Sequence, residues 1–316
     1  MMRESAGSYF PPAPSFLKTL ALGSILFFSV SASCGERELE KHVCPLHRNE
    51  FDQLQRKAEA SNPEAQTIMA SCYELGRNVK PSRAETIHWL KLAADQGYAP
   101  AEYELGRIYL YGRGIPADYQ QALLWEKKAA LQGERNAQRD LAFMYERGLG
   151  VQPDPREAAL WNRKAAAQGE AQAQLHLAEA LESGNGVPVN LTEAKAWYLK
   201  AARQDLSKAQ LKIAQLYAQD PTRTCQTLLF WYEKAAAGGE TQAMHESGKL
   251  YQTTKCGPDR PKAFMWFQIG GRFGSSESKA EAEKLASQIS PVQKKSAELQ
   301  VERWIKKHSG AQKEDE

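Results

Sequence analysis

The amino-acid sequence predicts an all-α fold, an α-solenoid of about six helix-turn-helix repeats with a helical cap at each end. The first observation is a regular series of tryptophans, spaced 34 to 36 residues apart. They are Trp89, Trp125, Trp161, Trp197, Trp231 and Trp266. The second observation is that the sequence around each tryptophan repeats, as in LLWEKKAALQGE (123–134) and ALWNRKAAAQGE (159–170). A fixed period of this length is typical of arrays in which each unit is one small set of helices.

The first helix of each unit is predicted to begin at an alanine. These alanines are Ala65, Ala101, Ala137, Ala173, Ala209 and Ala243. Apolar or aromatic residues follow four and eight positions later in most units, such as Leu105 and Tyr109, which places them on one side of a helix. Gly-x-Gly then predicts a turn at 112–114, 148–150 and 184–186, because glycine readily adopts a positive φ.

The second helix of each unit carries the tryptophan. Two alanines follow at the fourth and fifth positions after it in five of the units, as in Ala129-Ala130, and such small side chains let neighbouring helices approach closely. Gln-Gly at 96–97, 132–133 and 168–169 predicts the end of this helix, because glycine is favoured just past a helix C-terminus.

These motifs together resemble the Sel1-like repeat family, relatives of the tetratricopeptide repeats that carry a Gly-x-Gly turn. The resemblance covers residues 62–276, six units. The fifth unit departs from it with AQDPTRTC (218–225) in place of the glycine turn, and the sixth has Gly270-Gly271 in place of the alanine pair. Atypical units are expected near the end of such an array, where they cover the core. The resemblance implies a scaffold whose first helices line a concave groove.

Residues 1–33 are predicted to be a signal peptide. Their apolar run, TLALGSILFFSV (19–30), is shorter than a membrane span but suits a signal-peptide core. Ser31-Ala32-Ser33-Cys34 also resembles a lipoprotein signal, which makes Cys34 a lipidation candidate; an uncleaved anchor is the alternative. The expected location is the periplasm or the periplasmic side of the outer membrane, with secretion as another alternative.

The remaining four cysteines are expected to form two disulfides. In a stack of helix pairs, the start of one unit's second helix lies beside the end of the next unit's first helix. Cys225 is at the start of one second helix and Cys256 is just past the next first helix, so these two cysteines should meet. The same argument pairs Cys44 with Cys72, and buried thiols are the alternative. Each bridge would lie near one end of the array, next to the cap segments 34–61 and 277–308, while 309–316 is a predicted disordered tail.

Composition and motifs favour no enzyme and no cofactor. A net charge of +3 without a basic block does not indicate nucleic acid binding. His42, Cys44 and His47 are too few ligands for a competent metal site, and pairing of Cys44 would remove one. The Gly-x-Gly turns follow helices rather than strands, so they do not match a phosphate-binding loop.

A stripe at positions 2, 6 and 10 after the starting alanines is the candidate partner-binding groove. Its predicted members are Tyr103, Arg107, Tyr111, Arg139, Phe143, Arg147 and Glu179. Tyrosine and arginine are enriched among residues that dominate binding energies. Two guanidinium groups beside two rings would suit an acidic or aromatic segment. An ordinary solvated helix face is the alternative.

The expected function is therefore an exported adaptor of the bacterial envelope that binds a protein or peptide, with membrane contact only through a lipid anchor. The resemblance supplies an enzymatic alternative, since a cysteine-rich branch of the family is linked to penicillin binding and weak β-lactam hydrolysis. Here most units lack the cysteine pair that this branch repeats. Peptidoglycan binding is a further alternative.

Overall fold

The structure, a computed structural model, describes residues 44–308. Over this range it contains fifteen α-helices, one short 3-10 helix and no strand. The α-helices are α1 (Arg48–Glu59), α2 (Pro63–Leu75), α3 (Arg83–Ala94), α4 (Ala99–Tyr111), α5 (Tyr119–Leu131), α6 (Arg135–Arg147), α7 (Pro155–Ala167), α8 (Ala171–Ser183), α9 (Leu191–Arg203), α10 (Ser207–Ala218), α11 (Cys225–Ala237), α12 (Thr241–Leu250), α13 (Arg260–Arg272), α14 (Ser276–Ala286) and α15 (Pro291–His308). The predicted signal peptide, Cys34 and the predicted tail lie outside the described residues.

Helices α2 to α13 form six consecutive pairs, and each helix packs on the next one along the chain. The predicted all-α repeat architecture is thereby confirmed. We call the even-numbered helices α2 to α12 the first helices and the odd-numbered helices α3 to α13 the second helices. Helix α1 packs on α2 at one end, and α14 and α15 both pack on α13 at the other.

The first helices begin two residues before the alanines that the sequence suggested as their first residues. Helix α6, for example, begins at Arg135, where the Glu134 side chain accepts a hydrogen bond from the backbone N–H of Asn136. Such a cap occupies one of the N–H groups that a helix start leaves without a partner. Ala137 consequently lies inside the first turn, where it is fully buried.

The second glycine of two of the three Gly-x-Gly turns lies against the backbone of the preceding repeat. At Gly186, which has φ +75°, an added Cβ would lie 2.1 Å from the carbonyl oxygen of Pro155. Pro155 begins α7 in the preceding repeat. Gly150 has the same relationship to Tyr119 at the start of α5, at 2.3 Å. These glycines therefore allow backbone to touch backbone between neighbouring repeats, which any side chain would prevent.

The tryptophans are less uniformly buried than their spacing suggests. Trp125, Trp161 and Trp266 are buried, but Trp89, Trp197 and Trp231 are only partly so. Burial of the tryptophan therefore differs between repeats although its spacing is regular. In three units a lysine three residues after the tryptophan lies over the indole ring. The distances from Nζ to the ring centroid are 4.0, 3.7 and 3.6 Å for Lys128, Lys164 and Lys200. These cation–π contacts occur at two buried rings, Trp125 and Trp161, and at one partly buried ring, Trp197.

The position directly after each tryptophan is buried in all six units. Its occupants are Leu90, Glu126, Asn162, Tyr198, Tyr232 and Phe267. Four of them are apolar or aromatic, but Glu126 and Asn162 are polar, with 0% and 4% of their surface exposed. These two side chains place a carboxyl and an amide group where the other repeats have core.

A ladder of glutamine side chains joins successive repeats. The Nε2 amide of Gln168 donates to Oε1 of Gln138, 30 residues earlier, and that of Gln204 donates to Gln174 in the same way, both at 2.9 Å. Gln138 and Gln174, the earlier residue of each pair, also donate their Nε2 amides to a backbone carbonyl eight residues before them. Buried amide groups thus find partners throughout this contact. One unit has Glu102 instead, which accepts from Gln132 at 2.7 Å.

Both expected cysteine pairs are disulfide-bonded in the structure. Cys44 joins Cys72 with a Cα–Cα distance of 5.0 Å, and Cys225 joins Cys256 at 5.2 Å. The first bridge ties the residues before α1 to α2, and the second ties the start of α11 to the 3-10 helix Thr254–Cys256. At the C-terminal end, the ring of Trp304 in α15 lies 5.8 Å from that of Trp266.

Candidate functional site

The predicted groove residues lie on three successive first helices, a set that we call the first-helix surface. Tyr103, Arg107 and Tyr111 are on α4, Arg139, Phe143 and Arg147 are on α6, and Glu179 is on α8. Tyr111 is 51% exposed, and Arg147 and Glu179 are also exposed. The other four are partly buried.

Arginines and rings pair within two helices of this surface, α4 and α6. The guanidinium carbon of Arg107 lies 5.5 Å from the Tyr103 ring centroid, and that of Arg147 lies 5.8 Å from the Phe143 ring. Arg107 also reaches Glu104, at 3.8 Å between Nη1 and Oε1. Tyr103 also packs against the core, whereas Tyr111 is exposed at the surface.

Arg139 is bound by carboxylates of its own chain. Its Nε and Nη2 atoms lie 2.9 and 2.7 Å from Oδ1 of Asp140, and Nη1 lies 3.4 Å from Glu170, the residue before α8. Asp140 is buried, so its charge requires this partner. The expectation that both arginines are free to bind an acidic partner is therefore not met, because Arg139 joins α6 to the start of α8.

Glu179 does not join the other predicted residues. The charged groups that act on it most strongly are His176 and Lys212, on α8 and α10. Lys212 also forms an ion pair of 3.1 Å with Glu182, which accepts a hydrogen bond of 2.7 Å from the hydroxyl of Tyr198. Lys212, Glu182 and Tyr198 thus form a further set of polar contacts, centred on Glu182, while His176 of α8 lies 3.8 Å from Glu146 of α6.

The residues that the sequence analysis missed are two buried carboxyl groups, Glu126 on α5 and Asp140 on α6. Glu126 projects from α5 and is completely buried, and both of its carboxyl oxygens lack a hydrogen-bond partner among the described residues. Oδ2 of Asp140 also lacks one. We call Glu104, Glu126 and Asp140, with Arg107 and Arg139, the buried charge cluster. The only sequence signal for Glu126 is a charged residue at a position that is apolar in most repeats.

The carboxyl groups of this cluster are hard to ionise. Burial raises the pKa of Glu126 well above its ordinary value, and the charge of Asp140 raises it further, against the opposing effects of Arg107 and Arg139. Burial also raises the pKa of Asp140, although Arg139 partly opposes this. Tyr103 borders the same groups, and its pKa is raised by burial and by Asp140. The cluster is therefore an electrostatically strained part of the core.

Neither a metal site nor a membrane span occurs in the part of the chain that the structure describes. No three His, Cys, Asp or Glu side chains within 44–308 are grouped so as to hold a metal ion. Cys44 is in a disulfide, and His42 lies outside the described residues. No helix in this range is long and apolar enough to cross a bilayer.

Comparison with known proteins identifies relatives of the same architecture. A protective antigen of uropathogenic Escherichia coli strains, with an SLR fold, superposes with a TM-score of 0.70 at 28% identity, over 81% of this chain and 55% of that protein. This chain thus spans about half the length of that relative. A Sel1 repeat protein from Oxalobacter formigenes gives a TM-score of 0.63 at 28% identity, over 76% of this chain and 70% of the other. No curated protein sequence gives a significant match.

The Sel1 repeat family matches the chain in six segments. They are residues 63–98, 99–134, 135–170, 171–206, 229–240 and 241–272. The match is incomplete in the fifth repeat, where α10 and the start of α11 lie in the unit without a glycine turn. Helix pairs, tryptophan spacing and glycine turns agree with this assignment, and the chain therefore belongs to the Sel1 repeat family.

Proposed function

We propose that the chain is an exported scaffold that binds a protein or peptide partner on the first-helix surface. Sel1 repeat proteins are generally protein-interaction scaffolds and typically not enzymes. The observation that carries the location is the presence of aromatic and arginine side chains at the solvent side of neighbouring first helices. Tyr111 and Phe143 belong to none of the hydrophobic core clusters of the described residues. Rings and arginines with this placement are suited to binding.

Export is supported by the two disulfides. Disulfides persist in oxidising compartments and are rare in a reducing cytosol. Together with the predicted signal peptide, they favour the periplasm. Anchoring at the outer membrane through lipidated Cys34 is the finer proposal, and mass spectrometry of the mature N-terminus tests it. An unmodified Cys34 in the mature protein would contradict the anchor but not export.

The sequence alternatives receive no comparable support. β-Lactam hydrolysis needs a nucleophile with an activating group, and the first-helix surface offers arginines, carboxyls and rings instead. Peptidoglycan binding has no structural feature of its own in the described residues that favours it. We therefore assign the chain to partner binding.

Site-specific photo-crosslinking in the envelope tests the location of the partner surface. Benzoylphenylalanine would replace Tyr111 or Arg147 on first helices, and Leu124 or Leu160 on second helices as controls. The controls are well matched, because Leu124 and Leu160 are each 46% exposed against 51% for Tyr111. We expect one crosslinked species that recurs at the two first-helix positions and is absent at the controls. Crosslinks confined to Leu124 and Leu160 would show that the partner binds the second helices.

A further inference from the structure

An open cleft lies between α12, the first helix of the sixth repeat, and α14 of the C-terminal cap. Its volume is about 520 Å³, within the range of about 300–1,000 Å³ that is usual for ligand sites. His245 and Lys249 occupy the same positions in α12 as Tyr103 and Arg107 in α4, so the cleft continues the row of the first-helix surface further along the array. Its lining residues are His245, Lys249 and Gln252 from α12 and the turn after it, and Glu277, Ala280 and Glu281 from α14.

The imidazole ring of His245 is held from two sides. Its Nδ1 lies 3.0 Å from Oγ of Ser278 in α14, and its centroid lies 5.3 Å from that of the Phe267 ring in α13. Ser278 has no exposed surface, and His245 is the partner of its hydroxyl in the described part of the chain. Because a buried hydroxyl is expected to donate, Nδ1 accepts, and the hydrogen of the neutral ring lies on Nε2. His245 thus keeps an N–H donor for a ligand in the cleft.

Two departures from the repeat pattern build this contact. Ser278 is the third residue of α14, the position at which all six first helices carry a buried alanine. Gly270 replaces the first alanine of the pair that follows the tryptophan in the other repeats. A Cβ at Gly270 would lie 2.6 Å from Oγ and 2.9 Å from Cβ of Ser278. Glycine is therefore needed where serine replaces alanine, and the two changes together place a hydroxyl group against His245.

The opposite wall of the cleft carries carboxylates. Glu277 and Glu281 are four residues apart on α14, so they project from one face of the helix. Glu277 is exposed and has no ion-pair partner among the described residues, whereas Glu281 contacts Lys284 at 2.5 Å. Lys249 contacts Glu246 of its own helix at 2.8 Å. Exposed pairs within one helix are weak, and three carboxylates face two ammonium groups, so the cleft favours a ligand with a positive charge.

We propose that this cleft binds an arginine side chain in an extended peptide segment of the partner. The guanidinium group would lie between the carboxylates of Glu277 and Glu281, and the backbone carbonyl of the arginine would accept from Nε2 of His245. The planar guanidinium carries five donors and can bond two carboxylates at once, whereas a lysine ammonium is a compact point charge. The inference rests on the proposal that the chain binds a protein or peptide, but it concerns a site separate from α4 to α8.

Two other kinds of ligand fit the cleft less well. A carboxylate could accept from His245 and Lys249, but Glu277 and Glu281 would oppose it with like charge. A metal ion needs three or more ligands, and the His, Cys, Asp and Glu side chains within 44–308 form no such group. An arginine residue in a peptide satisfies both walls, because it combines a cation with a carbonyl acceptor.

Peptide titrations followed by NMR test the inference. The probe is the tripeptide acetyl-alanyl-arginyl-alanine amide, and its citrulline analogue is the uncharged control of similar shape. The ¹⁵N signals of the His245 ring, assigned with a His245→Gln variant, report on the cleft directly. We expect a saturable shift with the arginine peptide and at least about tenfold weaker binding of the citrulline peptide. Equal binding of the two peptides, or no saturable shift with the arginine peptide, would overturn the inference.

Two glutamine variants of α14 separate the cleft from a general effect of charge. Glu277→Gln should weaken binding of the arginine peptide by about threefold or more, because one of the two carboxylates loses its charge. Glu283→Gln makes the same change in the same helix at an exposed residue that does not line the cleft. It should bind the peptide like the unaltered protein. Equal weakening in the two variants would contradict the assignment.

A Ser278→Ala variant tests the positioning of His245. The variant should fold, because the six first helices already carry alanine at this position. Without the hydroxyl, the neutral ring can carry its hydrogen on either nitrogen, so its ¹⁵N signals should move toward a mixture of the two forms. We also expect weaker peptide binding. Ring signals identical to those of the unaltered protein would reject the role of Ser278.

The two proposals fail separately. Crosslinks at Tyr111 and Arg147 without a response of His245 to the arginine peptide would keep the partner surface and reject the cleft. Crosslinks confined to the second helices, with a saturable response of His245, would reject the partner surface and keep the cleft. Thermal melts of all variants establish that they are folded before binding is compared.

Discussion

Gly106 of α4 lies directly against the buried side chain of Glu126 from α5. A Cβ added at Gly106 would lie 2.5 Å from Oε1 and 2.8 Å from Cγ of Glu126. In the following repeat the equivalent residues are Ala142 and Asn162, a larger residue facing a smaller one. The absence of a side chain at Gly106 therefore provides the space that the longer carboxyl side chain fills.

This relationship predicts a strong coupling between the two positions. Gly106→Ala should overpack the contact, at a cost of about 1–3 kcal/mol in stability. This cost outweighs or cancels the gain of about 1 kcal/mol from the better helix propensity of alanine. In a Glu126→Asn background the pair matches Ala142–Asn162, so Gly106→Ala should become stabilising. Urea unfolding of the four proteins in the double-mutant cycle measures this. Additive effects would show that the two side chains do not meet.

The stability of the protein is expected to depend on pH through Glu126. Because burial raises its pKa in the folded state, the folded state holds this proton at pH values where the unfolded chain has released it. The associated stability is present below the ordinary pKa of 4.5 and is lost as pH rises through the higher folded pKa. Relative to Glu126→Gln, the unaltered protein should lose up to about 1.4 kcal/mol per pH unit in that window.

Denaturant unfolding of both proteins at several pH values from 4 to about 8 checks this dependence. The difference between them isolates Glu126, because Asp140 and Glu104 are present in both. A stability difference that stays constant over the whole range would contradict burial of an unpaired carboxyl at this position.

Much of the fold could be predicted because the repeat is internal to the sequence. Trp125, Trp161 and their neighbours identify equivalent positions without any structure. The same spacing does not say which side of a second helix faces the core. Glu126 and Trp125 are adjacent, and both proved to be buried. From the sequence alone, a charged residue directly after a tryptophan that faces the core is expected to face solvent. The buried carboxyl of Glu126 was therefore missed.

The role of Arg139 could not be predicted for a related reason. Neighbouring residues i and i+1 point in different directions on a helix and are not expected to pair. The arginine side chain is nevertheless long enough to fold back onto Asp140 and also to reach Glu170. The alanine ladder, by contrast, depends only on residue size and helical spacing, and it is buried as expected.

Tryptophan substitutions should separate the buried rings from the edge rings. Trp161 is 4% exposed, so Trp161→Ala should cost about 3–5 kcal/mol. Trp197 is only partly buried, and Trp197→Ala should cost clearly less. Thermal or urea unfolding of the two variants provides the comparison. Equal losses would mean that the contact of Trp197 with its neighbours is as complete as that of Trp161.

The glycine turns predict a difference between two substitutions of the same kind. Gly186 and Gly169 both have a positive φ, 75° and 91°, so alanine is strained at either position. Only at Gly186 would the added Cβ also meet backbone, whereas nothing lies within 4 Å of it at Gly169. Gly186→Ala should therefore destabilise the protein by clearly more than Gly169→Ala, which we expect to cost about 1–2 kcal/mol. Similar melting temperatures for the two variants would argue against the backbone contact with Pro155.

The Cys225–Cys256 disulfide is expected to replace the missing glycine turn of the fifth repeat as the local constraint. Its partners are 31 residues apart, and a closed loop of this size contributes about 3–4 kcal/mol. Repeats contact mainly their neighbours, so the loss in a Cys225→Ser/Cys256→Ser variant should be local. We expect faster hydrogen exchange in α10 to α13 and little change in α2 to α7. Cys44→Ser/Cys72→Ser is the matched control, with partners 28 residues apart, and should affect α1 and α2 instead. If the two variants loosen the same helices, the solenoid unfolds as one cooperative unit, and the bridges do not act as separate constraints on the two ends.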